Sequence, residues 1–232
     1  MKKIGILIFI VAIVVGVAVA NVLSFGKASS NIFTFSFGTG VKGSGVASSE
    51  TRAADEFTGI DVGGVFEVEA TAGKEYSIQV QADDNLLPFI KTEVDSGVLK
   101  ISTTQRINSH TPLRVVVSAP EIDHLDVSGA SKVSLSGAKN SELGIHVSGA
   151  SKLKLEGETS ELNVEVSGAS SIDAESLRSK TATVDANGAS KVSVLVTERL
   201  NSDASGASKV QYSGNPASVE KKTSGASSVR PK

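Results

Sequence analysis

One tetrapeptide, returning at nearly constant intervals, limits what this chain can fold into. Ser-Gly-Ala-Ser begins at Ser128, Ser148, Ser167, Ser205 and Ser224, and Asn-Gly-Ala-Ser begins at Asn187, with successive spacings of 20, 19, 20, 18 and 19 residues. Six copies in register mark a repeat architecture in which each unit packs on its neighbours. The flanking columns show what each unit builds. Three residues before each motif stand Leu125, Ile145, Val164, Val184, Ser202 and Lys221; one residue before stand Val127, Val147, Val166, Ala186, Ala204 and Thr223. Asp126, His146, Glu165, Asp185, Asp203 and Lys222 lie between them, giving the in–out–in alternation of a strand. A second alternating segment follows each motif, with Lys132, Lys152, Lys191 and Lys209 facing out and Val133, Leu153, Ile172, Val192, Val210 and Val229 facing in.

The expected fold is all-β: a single-stranded right-handed parallel β-helix of six coils, each about 19 residues. Such a coil cannot stand alone. Its four or five inward aliphatics contribute at most ~1.5–3 kcal/mol each, whereas ordering each backbone residue costs ~1–2 kcal/mol. Stacking supplies the missing ladder bonds and a shared core. The structural corners are Gly129, Gly149, Gly168, Gly188, Gly206 and Gly225, where glycine can take a positive φ. The paired serines can satisfy nearby backbone groups. Lys221, Lys222 and Thr223 replace aliphatics in the last coil and read as an end cap.

Upstream, residues 51–120 supply strands and residues 121–232 the six repeats. Period-two alternation predicts strands at Phe57–Val62, Val65–Ala70, Tyr76–Gln81, Val98–Ser102 and Leu113–Ser118. Asp83-Asp84-Asn85-Leu86-Leu87-Pro88 reads as a turn or short capped helical turn, with cation binding by its carboxylates the alternative. Residues 26–50 read as a Gly/Ser-rich linker. Gly38 to Gly43 formally matches G-x-G-x-x-G, but no helix pattern follows it, so the dinucleotide reading is set aside.

Residues 1–25 read as a targeting segment with an apolar helix. Met1-Lys2-Lys3 precedes 17 unbroken apolar residues from Ile4 to Ala20. That length suffices to span a bilayer, while Ala18-Val19-Ala20 is an A-x-A cleavage pattern. Cleaved signal and uncleaved anchor both remain open, and both place the rest of the chain across the membrane. The expected location is therefore the extracytoplasmic cell envelope, with the membrane itself a partner if the segment is retained.

Composition narrows the chemistry. With 23 Lys+Arg against 25 Asp+Glu there is no basic footprint for nucleic acid. The lack of cysteine excludes disulfides, thiol nucleophiles, thiolate metal sites and a lipoprotein anchor. No cofactor is implied. The repeated serines read as a structural column, because a nucleophile needs one activated copy beside its base. Asp126, Glu165, Asp185 and Asp203 form the one candidate ligand face, and their equal offset from the corner predicts a single outward row beside the lysine column. A solvated pair of opposite-sign stripes is the plainer alternative. Three readings follow: a noncatalytic envelope domain binding a glycan or protein partner, a β-helix enzyme acting on glycans, and a polymerising scaffold. The sparse aromatics disfavour the second and the polar last coil the third.

From about Glu50 onward the sequence resembles the bacterial family called putative auto-transporter adhesin, head GIN domain. The resemblance is carried by Phe57-Thr-Gly-Ile-Asp-Val, Ala82-Asp-Asp-Asn-Leu-Leu and the Leu-x-Val-Ser-Gly-Ala-Ser-Lys-Val repeats. It implies a β-helix-like domain in the bacterial envelope and brings no catalytic residues with it. An autotransporter needs a C-terminal membrane barrel, whereas this sequence ends at Lys232, eight residues after the last motif begins.

Overall fold

The structure is a computed structural model that describes residues 40–232. The apolar segment expected to form a targeting helix lies outside those residues. Among the described residues no helix is long and apolar enough to cross a membrane. The N-terminal part contributes β1 (Val41–Lys42), β2 (Ala47–Arg52), β3 (Gly59–Gly64), β4 (Glu67–Ala72) and β5 (Ser77–Asp83). A 3-10 turn over Leu87–Phe89 leads to β6 (Ile90–Asp95), β7 (Val98–Thr103), β8 (Ile107–Asn108) and β9 (Arg114–Ala119). The repeats follow as β10 (His124–Gly129), β11 (Lys132–Val147), β12 (Lys152–Val166) and β13 (Ser171–Ala186). β14 (Lys191–Ala204), β15 (Lys209–Ser213), β16 (Ser218–Thr223) and β17 (Ser228–Pro231) complete the series.

From β10 onward the strands are parallel and in register. Leu125, Ile145, Val164 and Val184 are successive partners, as are Val133, Leu153, Ile172, Val192, Val210 and Val229, and all are buried. The result is a β-solenoid of about five turns. Six corners bound five full intervals, so six motifs do not make six whole coils. The strands are also longer than two short segments per coil. β11 to β14 run unbroken from one corner to the next and bend through register shifts, such as that between Leu135 and Ala138. The uneven motif spacing is absorbed at such shifts, so the corner itself stays constant.

Each corner is a backbone stack that only glycine permits. The six motif glycines have φ between 72° and 91°. A Cβ on Gly149 would lie 2.3 Å from the carbonyl oxygen of Gly129, and one on Gly168 equally close to that of Gly149. The Gly129 carbonyl accepts from the Ala150 N–H at 2.8 Å and from the Ser151 hydroxyl at 3.4 Å. The same Ser151 Oγ accepts from the Ser131 N–H at 3.2 Å. Ser131 and Ser170 make the same pair of bonds, so three of the buried serines bridge a donor and an acceptor of the coil before, whereas Ser190 and Ser208 only donate to the corner carbonyl below.

The N-terminal part is built on the same plan. β3 pairs with β10 and β4 with β11, both parallel, while β7 and β9 lie beneath β3 and β4. Gly63-Gly64-Val65-Phe66 therefore occupies the place of one more corner. Gly64 lies under Gly129, and the Phe66 N–H donates to Ser131 Oγ at 3.1 Å. Antiparallel strands close this end: β6 pairs with β7, β5 with β9, and β2 with β5. At the other end β16 and β17 form the edge, and Lys221 and Thr223, in formerly inward columns, are exposed.

Residues 40–50 are not the linker that their composition suggests. β1 pairs with β8 and most of β2 lies in this stretch. β2 reads Ala-Ser-Ser-Glu-Thr-Arg because an edge strand needs no apolar face. Gly40 and Gly43 allow close approach to the Arg106 backbone and to Asp83. Asp83 is wholly buried. Its carboxylate accepts from the His110 N–H and the Thr111 hydroxyl, each at 2.9 Å, and from the Ser109 hydroxyl at 3.2 Å. Beside it, Asn85 Oδ1 accepts from the Ser44 N–H, and its amide donates to the Lys42 carbonyl. The predicted turn is thus a clasp joining residues 42–46 to residues 108–111.

Gly149→Val should cost about 3 kcal/mol or more, because it adds both strain at positive φ and a backbone clash. Gly225→Val should cost less: its Cβ would meet the Gly206 oxygen at 2.7 Å, and only one neighbouring coil is disturbed. Ser151→Ala should cost about 1–2 kcal/mol by stranding the Ser131 N–H. Urea unfolding of the three variants checks this order, and a silent Gly149→Val would refute the stacked corner.

The His110 N–H, together with the Thr111 and Ser109 hydroxyls, holds the Asp83 carboxyl below the ordinary aspartate pKa despite its burial. A depressed acid stabilises the fold fully above its unfolded pKa and loses that contribution as pH falls through the folded value. Asp83→Asn should therefore lower Tm at pH 7, and the gap to the parent should close in strong acid. A constant gap across that titration would show that charge is not what Asp83 supplies.

Candidate functional site

The repeat that stacks the core also stacks the outward side chains. Following the pairing from strand to strand, Lys100, Asp61, Asp126, His146, Glu165, Asp185, Asp203 and Lys222 occupy one straight column. Asp126 is half-buried, and Glu165, Asp185 and Asp203 are exposed. The structure brings all four candidate carboxylates to one outward face. It adds Asp61, which stands two residues before Gly63 as Asp126 stands two before Ser128. Lys222 stands at one end of the column, Lys100 lies between Asp61 and Glu93 of β6, and a histidine sits within the column. His146 Nδ1 lies 3.4 Å from Glu165 Oε2.

Parallel in-register strands place like charges about 4.8 Å apart, and this crowding adds to the effect of burial. Asp185 is pushed above the ordinary aspartate pKa by partial burial and then by the charges of Asp203 and Glu165. Asp61 is raised by partial burial and by Asp126, against the lowering effect of Lys100 and His124.

Across the corner, Lys132, Lys152, Lys191 and Lys209 share a second column, interrupted by Ser171. Among the described residues no ion pair joins the two columns. The exposed Ser-Gly-Ala ridge stands between them. The acidic row is therefore a separate anionic strip, not one half of a neutralised pair. The second serine of the motif is unsuited to nucleophilic work. Ser131, Ser151, Ser170, Ser190 and Ser208 are buried, and each donates to a glycine carbonyl. Among the described residues no group of three or more His, Asp or Glu is arranged to hold a metal ion.

One place on this face is recessed. Beside the acidic column runs another outward column of His124, Gly144, Asn163, Thr183 and Asn201. Gly144 has no side chain where its successors do, and the floor there opens into a groove of about 300 Å³. His124, His146, Asn163, Glu165, Thr183 and Asp185 line it. The sequence holds a signal for it, since Gly144 breaks a polar column, but it is visible only once the columns are aligned.

Asp185→Asn should raise Tm at pH 7. A carboxyl with a raised folded pKa binds its proton more tightly in the native state, so it opposes folding at neutral pH and ceases to do so as pH falls below its unfolded value. The gain should shrink in acid and in high salt, and thermal scans against pH and salt will show whether it does.

The sequence profile of the family described as putative auto-transporter adhesin, head GIN domain, matches residues 56–216. Among solved structures, a putative adhesin from Bacteroides fragilis NCTC 9343 is similar at TM-score 0.69 and 19% identity, covering 83% of this chain and 100% of its own. A putative adhesin from Parabacteroides merdae ATCC 43184 is similar at TM-score 0.53 and 17% identity, over 84% and 99% of the two chains. At these identities the likeness concerns the fold. No curated protein is significantly similar to the chain.

Proposed function

The chain belongs to the putative auto-transporter adhesin, head GIN domain family, and from that premise we propose that it is a noncatalytic domain of the bacterial cell envelope whose acidic face binds a surface partner. The observation that carries this reading is the outward column in which Asp61 and Asp126 are followed, past His146, by Glu165, Asp185 and Asp203. Three carboxylates follow one another on successive coils, so the face suits a ligand that is itself extended. The column also holds like charges close together at a cost to the fold, a cost that a cationic or hydrogen-bond-donating partner would offset. A noncatalytic role accords with the buried serine hydroxyls, which are engaged with corner carbonyls. Export is supported by Lys2 and Lys3 ahead of the apolar run from Ile4 to Ala20. That segment delivers the domain across the membrane, either cleaved after Ala20 or retained as its tether.

The full-length chain, expressed in a bacterial host, should fractionate with the envelope, and N-terminal sequencing will distinguish cleavage from retention. Incubated with solubilised envelope material, it should be retained on it, and Asp126→Asn/Glu165→Gln/Asp185→Asn should weaken that retention. Recovery of the parent chain in the cytosol, or retention indifferent to the triple substitution, would overturn the reading.

A further inference from the structure

We infer that the groove over Gly144 is a saccharide subsite and that the sugar it takes bears a free amine, as in a hexosamine unit. The inference rests on the partner-binding reading above and gives that partner a chemistry.

Gly144 is unlike the corner glycines. Its backbone does not require glycine, and a Cβ there would meet only the His124 side chain closely, at 3.1 Å from Nδ1. The fold thus tolerates a side chain where none is present, and its absence opens the groove floor. The position also excludes other occupants. β10 to β13 are each paired within the ladder at this level, so a peptide cannot dock by adding a strand. The large exposed hydrophobics, Val46 and Val65, lie elsewhere, and the two aliphatics at the groove, Ile145 and Val164, are buried in the core. Glu165 and Asp185 in the wall, with Asp126 in the same column, repel phosphates and uronates.

What the lining offers is an excess of acceptors. Besides the two wall carboxylates there is Asn163, whose amide hydrogens reach Glu142 Oε1 at 3.1 Å and Glu161 Oε1 at 3.4 Å, leaving its carbonyl oxygen to accept. The Thr183 hydroxyl can donate or accept, and the imidazoles of His124 and His146 border the groove, the latter with Nδ1 at 3.4 Å from Glu165 Oε2. A ligand rich in donors, compact and positively charged complements this set. A pyranose with hydroxyls and one ammonium has that character. An ammonium placed beside Glu165 and Asp185 would offset the repulsion between these paired carboxylates. Asp203, one strand further along the column, adds a third carboxylate beside the groove before the column turns basic at Lys222.

The test titrates the full chain with a water-soluble glucosamine oligosaccharide and with its fully N-acetylated counterpart, by calorimetry. The glucosamine form should bind more tightly, and its affinity should fall as salt rises. Gly144→Gln, which fills the floor, and Glu165→Gln, which removes a charge, should each weaken binding about tenfold or more. Lys152→Gln, on the lysine column, should leave it unchanged. Unaltered Tm in the Gly144→Gln chain guards against a folding artefact. Equal affinity for the two oligosaccharides, no binding of either, or full affinity in a folded Gly144→Gln chain would overturn the inference. If envelope retention persists under any of these results, the groove assignment fails and the broader reading stands; if retention is also lost, both fail.

Discussion

Everything in this domain depends on how closely one glycine lies over another. At each corner a carbonyl oxygen sits where the next coil's glycine would have carried its Cβ, and that proximity sets the coil rise, the register and the direction of the outward columns. The buried serine hydroxyl makes the proximity tolerable, because a corner cannot satisfy all its own backbone groups. By accepting from one amide and donating to one carbonyl, the hydroxyl extends the ladder of the flat strands around the bend. Core packing is secondary to this. The inward residues shrink from Leu125 to Ala186 and Ser202 without loss of register, whereas no corner glycine is replaced.

How much of this can be read in the chain depends on whether a residue's neighbours obey the repeat. The six corners, the inward aliphatics and the four carboxylates are legible because each recurs at one offset. The corner at Gly63-Gly64-Val65-Phe66 carries the same flanks, Ile60 and Val62 before it and Val68 and Ala70 after it, but differs in all but the glycine. Phe66 fills the serine's place with a buried ring. β2 is obscure for another reason. It is an edge strand, with one paired side and little to bury, so alternation is faint in Ala47–Arg52, whereas the other edge strand, Ile90–Asp95, does alternate, with Ile90, Thr92 and Val94 on its more buried side. Burial of Asp83 could not be read either, since its donors come from residues 109–111, far along the chain and without a motif of their own. The groove is a case between these. Its residues are ordinary singly, and Gly144 gains meaning only against Asn163 and Thr183 in the aligned column.

The two charge columns show that symmetry of sequence does not mean symmetry of environment. Both arise from one repeat and stand on either side of one corner, yet the carboxylates are in part desolvated and crowd one another, whereas Ser171 interrupts the lysines. A solenoid transmits such differences along its length. Whatever charge the repeat places at one offset is copied every coil, so repulsion accumulates unless a deviation relieves it. His146, Lys100 and Lys222 are such deviations along the acidic column.

The extra corner at Gly64 also bears on how the chain reaches this structure. Within the repeats each new coil closes a loop of about 19 residues onto a coil already formed. The bond from Phe66 to Ser131 instead closes 65 residues, and loop entropy makes that closure about 1 kcal/mol more costly than a coil-sized one. The junction between β3 and β10 is thus the least favourable single closure in the ladder, and the steps after it are cheaper and alike. Inserting or deleting a whole coil would change the number of coil-sized closures and leave this long one untouched, so such a domain can vary in length without enlarging the loop it must close at its N-terminal end.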